Sequence, residues 1–522
     1  MELIDNKAVK ITVPNDVSTV IQKHIERAEI IGTRGNLTDV LVYWGIDEMT
    51  QLNKLFLFGK PLPSPITRDY EWTGRFKPFK HQKTTSEFLS IQERAFCFNE
   101  AGTGKTSSVL WACDYLMNLG KIKRVLIICP LSIMTSAWKN DIYNTCIHRI
   151  PGEAYGTADD RRLIINNPRY EFVIINYDGV AIVKDDIINA NFDLVVIDEA
   201  NAYKSVTTTR WKTLHKILKP ETKLWMLTGT PASQSPVDAY GLARLVCPHR
   251  VPKFSSAWRD IVMYQVSRFK WNPRAGSEHK VFNTLQPAIR FAKDECLDLP
   301  DIVYQTRIVP LSKSVEKLYH ELKKEFLIEA AGQEISAVNA AANMTKLLQI
   351  SGGAVYTDDK KVVEFDISPR LNALMEVIEQ TNNKLLIFVP YRHTINVVSA
   401  FLQKNDITSE IINGSVSKGE RTRIIKEFQN AEDPRVLVIQ PQAASHGVTL
   451  TRADTVVFWS PVMSVETYVQ CIARIERVGQ KNNMTVVHLQ GSEIEKRMYD
   501  MLQRKVDAHT SLVNLYREEI GI

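Results

Sequence analysis

The sequence predicts an α/β protein in which two parallel-sheet lobes follow one another, preceded by a small N-terminal accessory domain. In both halves of the chain, short apolar runs alternate with helical patterns, and this alternation is typical of parallel sheets. A glycine-rich segment at 99–106 stands between an apolar run and a helical pattern. A proline-rich stretch at 58–65 predicts a linker between the N-terminal segment and the first lobe.

Length and composition set the outer limits. The chain has 522 residues, which favours about three domains. We predict an accessory domain at 1–70, a first lobe at 71–300 and a second lobe at 301–522. Hydrophobic residues make up 44% and charged residues 24%, as in soluble globular proteins. We find neither a run of ~18 apolar residues nor a signal peptide, so we expect an intracellular protein.

The seven cysteines form no C-x-x-C pair, which favours reduced thiols over zinc or disulfides. The net charge of +6 permits a polyanionic partner without demonstrating one.

The predicted strands fall into three groups. In the N-terminal segment, extended runs occur at Ala8–Val13 and Val40–Trp44. The first lobe has five predicted strands: Ala95–Phe98, Val125–Cys129, Phe172–Asn176, Leu194–Asp198 and Leu224–Thr228. The second has five more: Lys384–Val389, Thr408–Ile412, Val436–Gln440, Thr455–Trp459 and Met484–Leu489. Only the first lobe carries a phosphate loop, so we expect nucleotide between the lobes, with catalytic residues supplied by the second lobe.

The segment NEAGTGKT at 99–106 has the residues of a phosphate loop. Gly102 and Gly104, on either side of Thr103, let the backbone approach phosphates, and successive N–H groups bind the anion. Lys105 would reach the β- and γ-phosphates, and the Thr106 hydroxyl would bind Mg²⁺. The full pattern has glycine where Asn99 stands, so a chance match is the alternative for this segment alone.

The acidic pair Asp198–Glu199 ends the apolar strand at 194–198. Asp198 would help to hold Mg²⁺, and Glu199 would orient the attacking water. The alternative is a solvated strand end.

Three further polar residues are candidates. Gln82 lies shortly before the phosphate loop, and its amide could read a base edge. Arg474 and Arg477, three residues apart on one helical face, could stabilise transition-state charge on a γ-phosphate. The alternatives are a surface glutamine and a surface helix with ion pairs.

The segment 250–295 is rich in basic and aromatic residues, with nine basic against four acidic residues and seven aromatics. Such a mixture suits a nucleic-acid surface. The alternative is a helical subdomain whose aromatics are core and whose charges are solvated.

Taken in order, these motifs resemble those of helicase superfamily 2 ATPases of the Swi/Snf family. The resemblance covers about residues 71–510. In the first lobe it rests on KPFKHQ (77–82), NEAGTGKT (99–106), VLIICPLSIMTSAW (125–138), IINYD (174–178), DEANAYK (198–204) and LTGTPASQ (227–234). In the second it rests on LLIFVPY (385–391), ING (412–414), GVTLTRADTVVFW (447–459) and QCIARIERVGQ (470–480).

The resemblance implies two RecA-like lobes and a DNA-stimulated ATPase of a compact, bacterial or viral type. ATP and Mg²⁺ are the implied cofactors and DNA the implied partner, gripped at backbone phosphates with little sequence specificity. We expect a monomer in the cytoplasm of a bacterium or virus-infected cell, or in the nucleus of a eukaryote. The alternatives are an RNA-dependent or strand-separating helicase and a nucleotide-regulated DNA-binding scaffold without turnover.

The sequence also departs from the family pattern. Asn201 stands where the family usually has histidine. Ala473 and Glu476 replace an aspartate and a histidine, and Ala444–Ser445 replaces a glycine pair. The five residues expected to carry hydrolysis, Lys105, Asp198, Glu199, Arg474 and Arg477, are all retained.

Overall fold

The computed structural model describes residues 1–55, 62–229, 231–232, 235–267, 270–332, 337–356, 362–444 and 448–504. Residues 58–61 of the predicted linker at 58–65 lie outside these ranges, as do Arg268 and Phe269 of the basic segment and Ser445. No helix in the described ranges is both long and apolar enough to span a bilayer.

The N-terminal segment forms an antiparallel sheet of four strands in the order β1-β2-β4-β3. Alternate residues of the second strand, including Val9 and Ile11, are buried in one core, as the two-residue repeat of a half-buried strand requires. Ile91 of the first lobe belongs to the same core, so the accessory domain packs directly on that lobe. Its elements are β1 (Glu2–Ile4), β2 (Ala8–Pro14), α1 (Asn15–His24), β3 (Ala28–Arg34), β4 (Leu37–Tyr43) and α2 (Ile46–Leu55).

The first lobe is a parallel sheet of seven strands with helices on both faces. Its first elements are α3 (Ile66–Asp69), α4 (Lys80–Ser90), β5 (Arg94–Cys97), α5 (Lys105–Asn118), β6 (Val125–Cys129), α6 (Asn140–Thr145), β7 (Pro151–Ala154), α7 (Ala158–Asn166), β8 (Phe172–Asn176), α8 (Tyr177–Ile182), α9 (Lys184–Ala190) and β9 (Leu194–Ile197). The lobe continues with α10 (Thr209–Ile217), β10 (Lys223–Leu227), α11 (Ala239–Val246), α12 (Ser255–Val262), β11 (Met263–Ser267), β12 (Lys270–Pro273), α13 (Ser277–Thr284), β13 (Ala288–Ile289) and α14 (Lys293–Cys296).

The strand order of this sheet is β13-β5-β10-β9-β6-β8-β7, and it brings the phosphate loop and the acidic pair close together at the carboxyl ends of the strands. All neighbouring pairs are parallel. The phosphate loop follows β5 and the acidic pair follows β9, with only β10 between these strands. The carboxyl ends of parallel strands meet at one edge, where α/β proteins bind ligands. The fold therefore places the two motifs side by side.

The second lobe is a parallel sheet of six strands in the order β14-β21-β20-β17-β19-β18. Buried aliphatic residues on both of its faces form two cores against the surrounding helices. Its elements are β14 (Ile302–Ile308), α15 (Lys313–Gly332), α16 (Ala337–Gly352), β15 (Ala354–Tyr356), β16 (Val362–Glu364), α17 (Ser368–Gln380), β17 (Lys384–Phe388), α18 (Arg392–Lys404), β18 (Ser409–Ile412), α19 (Lys418–Asn430), β19 (Val436–Ile439), α20 (Pro441–Ala444), β20 (Ala453–Phe458), α21 (Val465–Ile472) and β21 (Met484–Gln490).

The predicted fold class, two parallel α/β lobes with a small accessory domain, is confirmed. Every predicted strand corresponds to an observed one, and no end differs by more than three residues. Three strands that pair into the parallel sheets, β7, β13 and β14, were not predicted.

Candidate nucleotide site

The phosphate loop joins β5 to α5, and its glycines take backbone conformations that other residues rarely adopt. Gly102 has φ of 92° and Gly104 has φ of 80°. Gly104 is also the residue that caps α5, so the loop leads directly into the helix N-terminus. Main-chain N–H groups at such a terminus are ready donors to an anion.

Lys105 is held by the loop itself. Its Nζ donates to the carbonyl oxygens of Asn99, at 2.8 Å, and Glu100, at 3.2 Å. A phosphate oxygen is a stronger, charged acceptor for an ammonium group than a carbonyl. Asn99, which stands where the motif has glycine, is fully buried and donates from its side chain to Thr85 Oγ1 at 2.8 Å. The substitution therefore ties the loop to α4.

Gln82 and Thr103 shape the loop. The Gln82 amide nitrogen donates to the Thr103 carbonyl at 3.1 Å, and its oxygen accepts from the Phe79 main chain at 3.0 Å. Glycine is favoured at position 104 because its φ of 80° suits few other residues and because a Cβ there would overlap the Gln82 amide nitrogen. Both ends of the Gln82 side chain are engaged within the protein, and the reading of a base edge stays a prediction.

The acidic pair lies in a constrained turn after β9. Glu199 has φ of 50°, and Tyr177 stabilises this turn because its hydroxyl donates to the Asp198 carbonyl at 2.6 Å. Asp198 Oδ2 accepts from the indole nitrogen of Trp138 at 2.9 Å. Trp138 and Tyr177 lie in quoted motifs, but no pattern in the sequence indicated these two roles.

Burial dominates the electrostatics of the two carboxylates. It raises the pKa of both Asp198 and Glu199, since desolvation penalises their charged forms. The Lys105 ammonium group opposes the rise in each case. A cation between the carboxylates and the phosphate loop would lower both pKa values further.

The second lobe contributes both predicted arginines. Arg474 Nε donates to the Gln470 carbonyl at 2.7 Å and one terminal nitrogen to the Val448 carbonyl at 3.0 Å. Arg477 donates to the Ala473 carbonyl at 2.9 Å and the Thr449 hydroxyl at 3.1 Å. Burial lowers the pKa of Arg474 to about 9 and that of Arg477 to about 10. Both guanidinium groups nevertheless stay charged at neutral pH. Two buried positive charges in one site favour the binding of an anionic ligand.

The phosphate loop, the acidic pair and the two arginines meet in one interlobe cavity of about 220 Å³, whereas Gln82 and Thr103 are not among its lining residues. It is lined from both lobes, so the structure brings Lys105, Thr106, Asp198, Glu199, Arg474 and Arg477 together as predicted residues of one site. The lining residues are Ala101, Gly102, Gly104, Lys105, Thr106, Ile133, Ala137, Asp141, Asp198, Glu199, Thr449, Arg474, Arg477 and Val478.

The donor set fits Mg²⁺. Thr106 and Asp198 both line the cavity and offer hard oxygen ligands. Mg²⁺ is commonly bound by one or two protein oxygens together with substrate phosphates. Within the described ranges, no group of three or more His, Cys, Asp and Glu side chains could hold a metal ion by itself. The site thus suits a metal that arrives with a nucleotide.

Asp141 is a cavity residue that the sequence motifs did not indicate. Burial raises its pKa to about 7, although Arg477 opposes the rise. It lies three residues after Trp138, the side chain that donates to Asp198, in the segment that follows β6. That spacing was the available signal.

We expect Asp141→Asn to lower kcat about tenfold, because it removes a negative charge that faces Arg477. An effect of this size corresponds to the interaction energies that are usual for neighbouring residues. It should also raise the midpoint of thermal unfolding, more at pH 8 than at pH 5. A carboxyl whose folded pKa of about 7 exceeds its ordinary value of 3.8 destabilises the fold increasingly as the pH rises from 3.8 to 7. Calorimetry at both pH values and ATPase assays measure the two effects. Unchanged kcat would contradict the first.

The basic and aromatic segment at 250–295 divides into a buried and an exposed part. Arg290, Trp258, Phe282 and Phe291 are buried, so the aromatics among them belong to the core. Lys293 is buried as well. Exposed cations remain at Lys253, Arg259, Arg274 and Lys280. Burial therefore excludes Arg290 and Lys293 from a DNA surface, and for the exposed cations the nucleic-acid surface stays a prediction.

Fold and site together define a helicase-like ATPase with two lobes. The chain belongs to the SNF2-related family: the SNF2-related domain matches residues 81–363, and the helicase conserved C-terminal domain matches residues 369–479.

Relatives include viral, bacterial and animal proteins. The putative protein p41 of Acyrthosiphon pisum secondary endosymbiont phage 1 is 24% identical over 77% of this chain and 88% of its own length. The uncharacterized ATP-dependent helicase MG018 of Mycoplasma genitalium is 25% identical over 82% of this chain and 41% of its own length. The human DNA annealing helicase and endonuclease ZRANB3 is 24% identical over 83% of this chain. The chain spans about two fifths of these last two proteins.

Among solved structures, the Sulfolobus solfataricus SWI2/SNF2 ATPase core in complex with dsDNA is similar, with 20% identity and a TM-score of 0.41. The match covers 85% of this chain and 94% of that one.

Proposed function

We propose that this protein is a DNA-dependent ATPase that moves along duplex DNA or remodels forked or branched DNA. The observation that carries the proposal is the interlobe cavity, where Lys105 and Glu199 of one lobe face Arg474 and Arg477 of the other. A site completed only by both lobes couples the chemistry of a nucleotide to their relative position.

The residues divide the hydrolysis between them. Lys105 exchanges its loop carbonyls for β- and γ-phosphate oxygens of ATP. Glu199 orients a water whose oxygen bonds to the γ-phosphorus while the bond between that phosphorus and the β–γ bridging oxygen breaks. The electron pair of the broken bond leaves with ADP, and the proton of the water ends on the released phosphate. Arg474 and Arg477 stabilise the charge on the transferring group. Thr106 and Asp198 would hold Mg²⁺, which would supply further positive charge at the phosphate oxygens.

Four loops at the same edges of the two sheets are candidate grips for DNA. They follow Cys129 and Asn176 in the first lobe and lie near Pro390 and Gln442 in the second, at the carboxyl ends of β6, β8, β17 and β19. Lobes that grip backbone phosphates alternately would move along a strand with little sequence specificity. The name of the human relative, a DNA annealing helicase, supports DNA as the partner.

Steady-state ATPase assays with single-stranded, duplex, forked and RNA ligands test this proposal. We expect strong stimulation by duplex or forked DNA and little by RNA. Stimulation by RNA alone would favour an RNA-dependent helicase, and stimulation together with unwinding of a labelled duplex would favour a strand-separating helicase. Nucleotide binding without turnover under any condition would favour a regulated scaffold.

We expect exposed cations of the segment 250–295 to contribute to DNA binding. Neutralising Lys253, Arg259 and Lys280 together, each to Gln, should weaken DNA binding about equally for unrelated sequences. The slope of log affinity against log salt should decrease by roughly one unit for each substituted side chain that binds a DNA phosphate. Fluorescence anisotropy at several salt concentrations measures both effects.

The matched control neutralises three exposed lysines on helices of the second lobe, Lys404, Lys426 and Lys496, with the same change in net charge. This variant should keep the wild-type slope. Equal slopes in the wild type and in both variants would leave the segment as a solvated subdomain.

A further inference from the structure

Two charged side chains from different lobes meet beside the phosphate loop. Lys293, at the start of α14 in the first lobe, pairs through Nζ with Glu476 Oε2 of the second lobe. Their side chains are only 8% and 24% exposed. Ion pairs enclosed to this degree are screened by salt much less than surface pairs.

Both members of this pair lie close to the phosphate loop and to Arg477. A Cβ placed on Gly102 would lie 3.3 Å from Arg477 Cγ, 3.4 Å from the Glu476 carbonyl and 3.8 Å from Lys293 Cδ. Arg477, Glu476 and Lys293 therefore surround the space beside Gly102 that a side chain at this position would fill. Separation of the lobes at this point would break the pair and withdraw Arg477 together.

On the side of the first lobe, Lys293 rests on a buried support. Its main-chain N–H donates to Glu100 Oε2 at 3.1 Å, and Glu100 Oε1 accepts from Arg290 at 3.0 Å. Arg290 has a side chain that is 1% exposed, and it also donates to the Phe98 carbonyl at 3.2 Å. Because Glu100 belongs to the phosphate loop, the base of Lys293 and the loop form one unit.

On the side of the second lobe, Glu476 directly precedes Arg477. Arg477 Nε donates to the Ala473 carbonyl at 2.9 Å, which holds its stem against the same turn. A second contact crosses the lobes nearby, where the Asn201 side chain hydrogen-bonds to Glu466. The Lys293–Glu476 pair is the one that adjoins the arginine.

We propose that the Lys293–Glu476 ion pair is an interlobe latch that holds the two lobes together and positions Arg477 over the phosphate loop. Both residues act through Arg477 and are positioning residues. The effect on turnover rests on the proposed ATPase function, whereas the effect on lobe separation does not.

A charge swap tests the latch. Lys293→Glu and Glu476→Lys each place like charges opposite one another, and the double variant restores an attractive pair. We expect each single variant to lower kcat about tenfold, with a smaller change in ATP KM, and the double variant to recover most of the loss, as coupled pairs do. Small-angle scattering of the nucleotide-free protein should show a larger radius of gyration in the single variants and a wild-type value in the double.

Lys54→Glu with Glu93→Lys is the charge-swap control, because that ion pair joins the accessory domain to the first lobe and neither residue lines the interlobe cavity. The two single variants of this control and its double variant should keep the wild-type radius of gyration and the wild-type kcat. If Lys293→Glu fails to fold, Glu476→Gln replaces it in the test. Glu476→Gln removes the attraction without adding repulsion, so it should give a radius of gyration and a kcat between those of the wild type and of Glu476→Lys.

A double variant no better than the worse single variant would overturn the latch, as would single variants with wild-type radius and kcat. If the wild type lacks turnover but scattering follows the charge swap, the proposed function fails and the latch stands. If the wild type turns over ATP and scattering ignores the swap, the latch alone fails.

Discussion

Replacing Glu199 with Gln is expected to reduce ATP turnover about 10²–10⁴-fold, the usual contribution of a positioned acid–base group. Gln keeps the size of the side chain, so the left-handed turn held by Tyr177 should persist. ATP binding should survive because Asp198 and Lys105 remain in the cavity. Single-turnover hydrolysis and equilibrium binding of a fluorescent ATP analogue separate the two effects.

Lys105→Ala is the companion variant, and it should lose turnover and ATP affinity together, since it removes the cation that meets the phosphates. Asp185→Asn is a suitable control because this carboxylate is solvent-exposed on α9, outside the cavity lining and the candidate DNA loops. Turnover near the wild-type value in Glu199→Gln would contradict the assignment of the site.

The parallel sheets could be predicted because their inner strands are almost wholly apolar. Runs such as Val125–Cys129 and Phe172–Asn176 are buried on both faces and bounded by polar turns, so their apolar character alone marks them. The motifs then follow from topology, since a phosphate loop and an acidic pair after parallel strands must share an edge.

The strands that were missed are edge or short strands whose residues carry no such signal. β7 contains proline and glycine, and β14 exposes most of its residues, including Val303 and Tyr304. Such segments become strands only because a neighbouring strand is already in place to pair with them. Local sequence does not contain that neighbour.

The partners that complete the site were missed for a related reason. Asp141 faces Arg477 and Lys293 pairs with Glu476, so each has its partner in the other lobe, far away along the chain. The spacing of residues in the sequence does not reveal such contacts. Composition likewise could not divide the segment 250–295, because buried Trp258 and exposed Phe254 are equally aromatic in the sequence.

Arg477→Ala is expected to lower kcat by about 10³-fold or more with little change in ATP affinity, by analogy with arginine fingers. Arg477→Lys is the informative control, because it keeps the charge but loses the planar fork that binds two phosphate oxygens at once. It should recover only part of the lost rate.

Arg474→Ala should lower kcat to a similar extent but also lower the midpoint of thermal unfolding. Arg474 is only 2% exposed, and its bonds to the Gln470 and Val448 carbonyls join two segments of the second lobe. Arg477 makes its outer bond to the Thr449 hydroxyl at the cavity wall, so its loss should spare stability. Comparison of the two variants therefore separates an effect on the chemical step from an effect on stability. DNA-stimulated ATP turnover and the midpoint of thermal unfolding are measured for both. Full turnover in both variants would contradict the two-lobe mechanism, because these are the arginines that the second lobe places in the cavity lining.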